Sequence, residues 1–229
     1  MSSFEQVPYD PDTNVFGGEE FAENPQQRCP CVLLLDTSGS MEGDPIAELN
    51  KGLRTFKADL VADSLAAKRV EVAIVTFGPT RVVSPFQTAD AFTPPYLTTT
   101  GDTPMGQAIM EGIRLVEERK DVYRQHGVPY NRPWIFLITD GAPTDSITNA
   151  TKILRAGVEE KKFAFFAVGV QNANMKVLGQ LSPRPPLKLA GLKFRELFQW
   201  LSNSLGSASR SSPSATTLSL PPPTGWTEL

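Results

Sequence analysis

Cys31-Val32-Leu33-Leu34-Leu35-Asp36-Thr37-Ser38-Gly39-Ser40-Met41 passes from an unbroken apolar run directly into an aspartate and a polar turn. An apolar run without alternation suits a strand buried on both faces, as in a parallel sheet covered by helices. Val70–Phe77, Trp134–Thr139 and Phe163–Val170 read the same way. After Phe77, Gly78-Pro79 marks a tight turn and makes Arg81–Ser84 an antiparallel edge strand.

Helical periodicity fills the intervals. Ile46, Leu49, Leu53, Phe56 and Leu60 recur at steps of three and four behind Asp44-Pro45, which predicts a carboxylate N-cap followed by proline at the first helical position. Met105, Ala108, Ile109, Gly112 and Val116 repeat the pattern behind Thr103-Pro104. Ile147, Ala150, Leu154 and Val158 do so again, and Phe194, Leu197, Phe198, Leu201 and Leu205 mark a last helix packed on the sheet. Strands alternating with helices predict an α/β fold: a doubly wound, mostly parallel sheet with helices on both faces.

Around this domain, residues 29–206, lie two polar ends. Residues 1–28 form a leader with scattered aromatics (Phe4, Tyr9, Phe16, Phe21), expected to be extended; residues 207–229 are rich in Ser, Thr and Pro and predict a flexible tail. No apolar stretch approaches the ~20 residues that a bilayer span needs, and Met1–Arg28 lacks an apolar signal region. A cytoplasmic location is the expectation, and unpaired thiols fit it.

Composition removes several functions. Lys+Arg 22 against Asp+Glu 25 leaves a net charge of −3 with no basic block, which argues against general nucleic-acid binding. Cys29 and Cys31 sit too close together to staple anything, and Cys31 reads as a small buried hydrophobe. The single histidine, His126, excludes His-rich zinc sites and reads as a solvated loop residue.

Chemistry concentrates where strands end. In open α/β sheets the carboxyl ends of the strands line the ligand crevice. Here Leu35-Asp36-Thr37-Ser38-Gly39-Ser40 and Ile138-Thr139-Asp140-Gly141 both leave strands, and Gly101-Asp102-Thr103-Pro104 opens a helix. Asp36, Ser38, Ser40, Thr103 and Asp140 together offer two carboxylates and three hydroxyls, a hard oxygen set suited to Mg²⁺, with Mn²⁺ or Ca²⁺ as alternatives. Five side chains fill fewer than six positions, so an acidic group of a partner protein can complete the shell. Asp102 and Asp145 flank the set and stay outside it. A competing reading is a Mg²⁺-dependent phosphatase or phosphotransferase with Asp36 as nucleophile. It is weakened by Ser38, which stands where an Asp-x-Asp pattern needs its second aspartate, and by the lack of a Gly-x-x-x-x-Gly-Lys loop. A purely structural ion is the third possibility.

Asp36-Thr37-Ser38-Gly39-Ser40 after an apolar strand resembles the Asp-x-Ser-x-Ser signature of von Willebrand factor type A domains. Thr103 and Asp140-Gly141 fall where that family places the other ligands of its metal-ion-dependent adhesion site. The resemblance covers about Cys31 to Gly206. It is closer still to the TerY-like branch linked to bacterial tellurite resistance, through Arg28-Cys29-Pro30-Cys31, Arg132–Gly141, Lys162–Val170 and Gly191–Leu201. It implies a six-stranded sheet with one antiparallel edge strand, and Ser38, Ser40 and Thr103 as direct ligands with Asp36 and Asp140 acting through water. It also implies a place in stress-response assemblies beside a protein kinase and a metal-dependent phosphatase.

Overall fold

The computed structural model describes residues 18–181, 183–213 and 220–228. After a short helix α1 (Gly18–Glu23) come β1 (Cys29–Asp36), a 3-10 turn (Gly39–Met41), α2 (Asp44–Ala62), α3 (Ser64–Arg69), β2 (Val70–Phe77) and β3 (Arg81–Thr88). They are followed by α4 (Met105–Gln125), β4 (Trp134–Thr139), α5 (Thr148–Glu159), β5 (Ala164–Gly169), α6 (Met175–Leu181), β6 (Leu187–Lys188) and α7 (Phe194–Arg210). The six strands lie in the order β3-β2-β1-β4-β5-β6. Only β3 runs antiparallel, against β2; the other pairings are parallel.

Every residue of β1 is buried, and alternation along it builds two separate cores. Leu33 and Leu35 face the side covered by α2 and α7, with Phe56, Phe136, Phe166 and Phe198. Val32 and Leu34 face the side of α4, α5 and α6, with Ile109, Leu137, Leu154 and Phe165. An apolar run thus reads as a doubly covered strand because both faces have helices to fill. No helix of the described residues is long and apolar enough to cross a membrane.

At the amino ends of β1 and β2 a charged cluster is sealed inside the protein. Glu71 accepts from Arg28 Nε at 2.8 Å, from Arg119 Nε at 2.7 Å and from the Tyr123 hydroxyl at 2.5 Å. Arg28 and Glu71 are both fully buried, and Phe21 of α1 lies against the guanidinium groups of Arg28 and Arg119. The edge-on contact of Phe21 with Tyr123 and the two cations over its ring hold this segment on the domain. The predicted extended leader therefore contains a helical turn over 18–23, and residues 1–17 lie outside the described part. His126 ends α4 with its ring 5.4 Å from that of Phe21, so it is half-buried rather than in a solvated loop.

The other end of the chain differs from its composition. A Ser/Thr/Pro-rich stretch predicts a free tail, yet residues 220–228 are packed. Trp226 is 1% exposed and packs against Trp200 of α7, with ring centroids 5.4 Å apart and planes tilted by 55°. Leu189 and Thr227 form an antiparallel bridge, Glu228 N–H donates to Lys188 O, and Trp200 Nε1 donates to Pro221 O. The two-residue β6 leaves backbone groups and apolar surface at the sheet edge, and one tryptophan supplies enough area to cover them. Residues 214–219 lie outside the description.

Candidate metal centre

The order in which strands are added reverses between the parallel neighbours β1 and β4, so the loops leaving them splay apart at a crevice. Asp36, the last residue of β1, is fully buried. Its Oδ1 accepts the Ser38 N–H at 2.9 Å, closing the turn, and its Oδ2 accepts the Thr139 hydroxyl at 2.5 Å. Ser38 Oγ lies 3.0 Å from Ser40 Oγ, and Ser40 Oγ donates to Asp140 Oδ1 at 2.7 Å. The β1 and β4 loops, a hundred residues apart in sequence, therefore meet through side-chain oxygens.

Thr103 arrives from the third loop. Its N–H donates to Thr144 Oγ1 at 3.1 Å, and Thr144 N–H returns to Thr103 O at 2.9 Å. The site at Gly141 shows how tightly the loops converge: a Cβ there would lie 3.3 Å from Thr103 Oγ1 and 3.7 Å from Asp36 Oδ2. The five residues read from sequence as one set, Asp36, Ser38, Ser40, Thr103 and Asp140, are thus neighbours around one crevice. All are buried except Ser40, which is exposed.

Backbone contacts fix the loops. Thr37 N–H donates to Phe77 O, Thr100 N–H to Thr37 O and Gly39 N–H to Gly101 O, at 3.0, 2.8 and 3.2 Å. Gly78, at φ 130°, lies under this turn, where a Cβ would stand 2.6 Å from Thr100 O and 2.8 Å from Ser38 N. Only glycine fits a left-handed position pressed against two other backbones. Gly78 thus carries the first loop, a role that a simple turn reading misses.

The electrostatics are one-sided. Burial raises the Asp36 carboxyl above its ordinary value; hydrogen bonds from Ser38 and Thr139 work against that, and the Asp140 charge adds to it. Among the described residues neither Asp36 nor Asp140 is in an ion pair with Lys or Arg. Each hydroxyl that donates to a carboxylate keeps its lone pairs for another acceptor-seeking group. No group of three or more His, Cys, Asp or Glu side chains occurs among the described residues, so zinc-type chemistry has no donors here. Two carboxylates and three hydroxyls with no cation beside them among the described residues fit a hard divalent ion.

Besides Gly78, one more helper escaped the sequence reading. Thr139 positions Asp36, and the only signal was a hydroxyl residue next to Asp140. Asp145 does not join the crevice: its two oxygens accept Gly106 and Gln107 N–H at 2.9 Å and cap α4 from across the loop. Pro104 occupies the N-cap position itself and has no side-chain group with which to cap. Asp44 likewise lies inside α2, whose N-cap is Gly43. Cys29 and Cys31 are buried and unpaired. Burial pushes the Cys29 thiol up to about 12, with Glu71 adding to it, and burial raises Cys31 well above its ordinary value. Neither is a reactive thiolate.

The von Willebrand factor type A domain model matches residues 31–194. No curated protein matches the chain in sequence at a significant level. The pilus adhesin SpaC of Lactobacillus rhamnosus GG, in its open conformation, aligns with a TM-score of 0.60 at 14% identity, over 79% of this chain and 30% of that one. Proximal thread matrix protein 1 of the mussel byssus aligns with a TM-score of 0.55 at 14% identity, over 79% of this chain and 48% of that one. The chain spans under a third of the adhesin and about half of the matrix protein. At such identities the likeness is one of fold.

Proposed function

The chain belongs to the von Willebrand factor type A family, and from that premise we propose that it is a protein-interaction module whose crevice holds a divalent cation facing an acidic residue of a partner. Ser38, Ser40 and Thr103 would hold the ion directly, with Asp36 and Asp140 acting through water; Mg²⁺ comes first, then Mn²⁺ or Ca²⁺. When bound, the ion supplies positive charge and an open coordination position that attracts a carboxylate. The single observation that carries this reading is the junction of Ser40 Oγ with Asp140 Oδ1, which brings the β1 and β4 loops together beside a carboxylate pair with no counter-ion among the described residues.

The chain's own residues do three things in this scheme. Thr139 and the Ser38 N–H hold the Asp36 carboxylate in place. Gly78 and the Thr100–Gly101 backbone keep the serine loop from opening. Ser40, exposed while its companions are buried, places an oxygen toward the side from which a partner arrives. The phosphotransferase alternative is disfavoured because both Asp36 oxygens are engaged and the residue is fully buried, so neither is free for in-line attack. The finer proposal, resting on resemblance to the TerY-like branch, is a cytoplasmic role in a bacterial tellurite or stress-response assembly with a protein kinase and a metal-dependent phosphatase as partners.

Calorimetric titration with Mg²⁺ and Mn²⁺ tests the ion. The wild type binds one equivalent, and Thr103→Ala and Asp140→Ala reduce affinity about tenfold or more. Capture of the kinase or phosphatase should then require Mg²⁺ and fail with EDTA. Unchanged ion affinity in both variants would remove the reading.

A further inference from the structure

Beside the Asp36 crevice, toward β3, lies a second concavity of about 150 Å³. Its inner wall is the backbone that carries the serine loop: Thr37, Gly78 and Thr100 line it, and a Cβ at Gly78 would stand 2.8 Å from Ser38 N. One thickness of backbone thus separates the concavity from the crevice. Arg81 and Val83 of β3 form one flank, and Pro95 and Tyr96 of the loop before α4 form the other.

Two side chains here have no internal use. Tyr96 is 79% exposed, and Tyr96 and Val83 are two of the four exposed large apolar side chains among the described residues. The ring is nevertheless held by a pinned loop. Phe92 is fully buried, and Asn50 grips Leu97 from both sides, accepting its N–H at 2.8 Å and donating to its carbonyl at 2.9 Å. Between these anchors Pro94 and Pro95 fix φ. An aromatic ring presented rigidly to water buries contact area with little loss of conformational freedom. Arg81, exposed at the start of β3, makes no ion pair with any described residue, and no carboxylate lines the concavity. A cation left unanswered beside an apolar hollow is complementary to a segment that carries both negative charge and an apolar side chain.

We propose that this surface takes an extended acidic segment of a partner protein: one carboxylate faces the ion, an apolar side chain two positions along sits against Val83 and Tyr96, and a second carboxylate pairs with Arg81. The proposal rests on the crevice being an ion site. In an extended chain, residues two apart point to the same side and lie about 7 Å from each other. An Asp-x-Leu-x-Asp pattern therefore presents all three groups together, in either chain direction. The concavity is smaller than the roughly 300–1,000 Å³ of small-molecule sites, which suits one side chain rather than a whole ligand. The ion alone accepts any exposed carboxylate; Arg81 and Tyr96 supply the discrimination.

Calorimetry on the full chain tests this with short peptides centred on Asp-x-Leu-x-Asp, Asp-x-Gly-x-Asp and Asp-x-Leu-x-Lys, each in Mg²⁺ and in EDTA. The first should bind in Mg²⁺ and weaken about tenfold or more in EDTA. In Mg²⁺ the glycine and lysine peptides should each bind about five- to tenfold more weakly than the first. Tyr96→Ala should weaken the first peptide about tenfold and the glycine peptide hardly at all. Arg81→Glu should reverse the order of the aspartate and lysine peptides. Both positions are exposed, so neither variant should change the melting temperature or the affinity for Mg²⁺ alone. Mg²⁺ binding without binding of the first peptide, equal binding of all three, or indifference to Arg81→Glu and Tyr96→Ala would overturn the proposal and leave the ion site standing. Absence of Mg²⁺ binding in the wild type would instead remove the ion site, and the placement of the first carboxylate with it. A dimer seen in sedimentation that Tyr96→Ala or Arg81→Glu dissolves would assign the surface to a second copy of the chain and overturn the partner.

Discussion

The two ends of β1 both bury carboxylates, and they treat them in opposite ways. At the amino end Glu71 is surrounded by Arg28, Arg119 and Tyr123, and its charge is answered inside the protein. At the carboxyl end, among the described residues, Asp36 and Asp140 meet only hydroxyls and backbone N–H groups. A buried charge is tolerable when it is paired or when it waits for a charged ligand. The first cluster is closed and structural, tying α1, β1, β2 and α4 together. The second is open in charge, which is the physical reason to assign an external cation to it and not to its counterpart.

The largest expected effect comes from unbalancing the closed end. Glu71→Ala leaves two arginines without their carboxylate and should cost about 3–5 kcal/mol in urea unfolding. At the open end, Asp36→Asn in EDTA should shift stability by no more than about 1 kcal/mol, since one acceptor oxygen survives and a like-charge contact with Asp140 disappears. The same substitution should abolish Mg²⁺ binding. If Asp36→Asn proves as destabilising as Glu71→Ala, the contrast between the two ends collapses.

Ligand linkage gives the next effect. Mg²⁺ at a hundred times its Kd should stabilise the wild type by about 2.7 kcal/mol, a rise of roughly 5–10 °C in Tm. The Asp140→Asn protein should show no such rise, whereas conservative changes at the Glu71 end should leave it intact. Differential scanning fluorimetry with and without Mg²⁺ measures both.

The smallest effect sharpens the closed end. Asp63 caps α3 through Leu65 and Ala66 N–H and pairs with Arg210 of α7. Burial acts to raise its carboxyl, but the hydrogen bonds from Ala66, Arg210 and Leu65 outweigh it and hold the group below its ordinary 3.8. A carboxyl with a lowered folded value adds stability above 3.8 and loses it as pH falls through that folded value. Asp63→Asn should therefore lower the urea midpoint slightly at pH 7 and reduce the further loss on going to pH 3. Equal pH sensitivity in the two proteins would show that Asp63 is not a source of the acid response.

How much of this was readable beforehand follows from range. The four buried strands and the long helices α2, α4, α5 and α7 announce themselves because their apolar patterns are local and strong. β3 extends to Thr88, beyond the Arg81–Ser84 that the turn implies, because pairing with β2 carries it through Pro85 at an edge where no N–H is needed. β6, two residues long, has no pattern to read and exists only because β5 offers an edge. The packing of residues 220–228 was hidden for a related reason: composition counts Ser and Pro, whereas one tryptophan meeting Trp200 decides where that segment goes.

The residues of the proposed metal site were legible as types at strand ends, and Asp36-Thr37-Ser38-Gly39-Ser40 carries its spacing in plain view. Their supports were not. Thr139, Gly78 and Asp145 act on residues tens of positions away, and nothing in their own neighbourhood says so. Periodicity and strand-end chemistry are properties of contiguous residues, so the amino-acid order alone determines the doubly wound α/β architecture and the oxygen-bearing loops. Which carboxylate is neutralised from within and which is left for an outside charge is settled by long-range packing, because only the folded chain brings arginines to Glu71 and keeps them from Asp36.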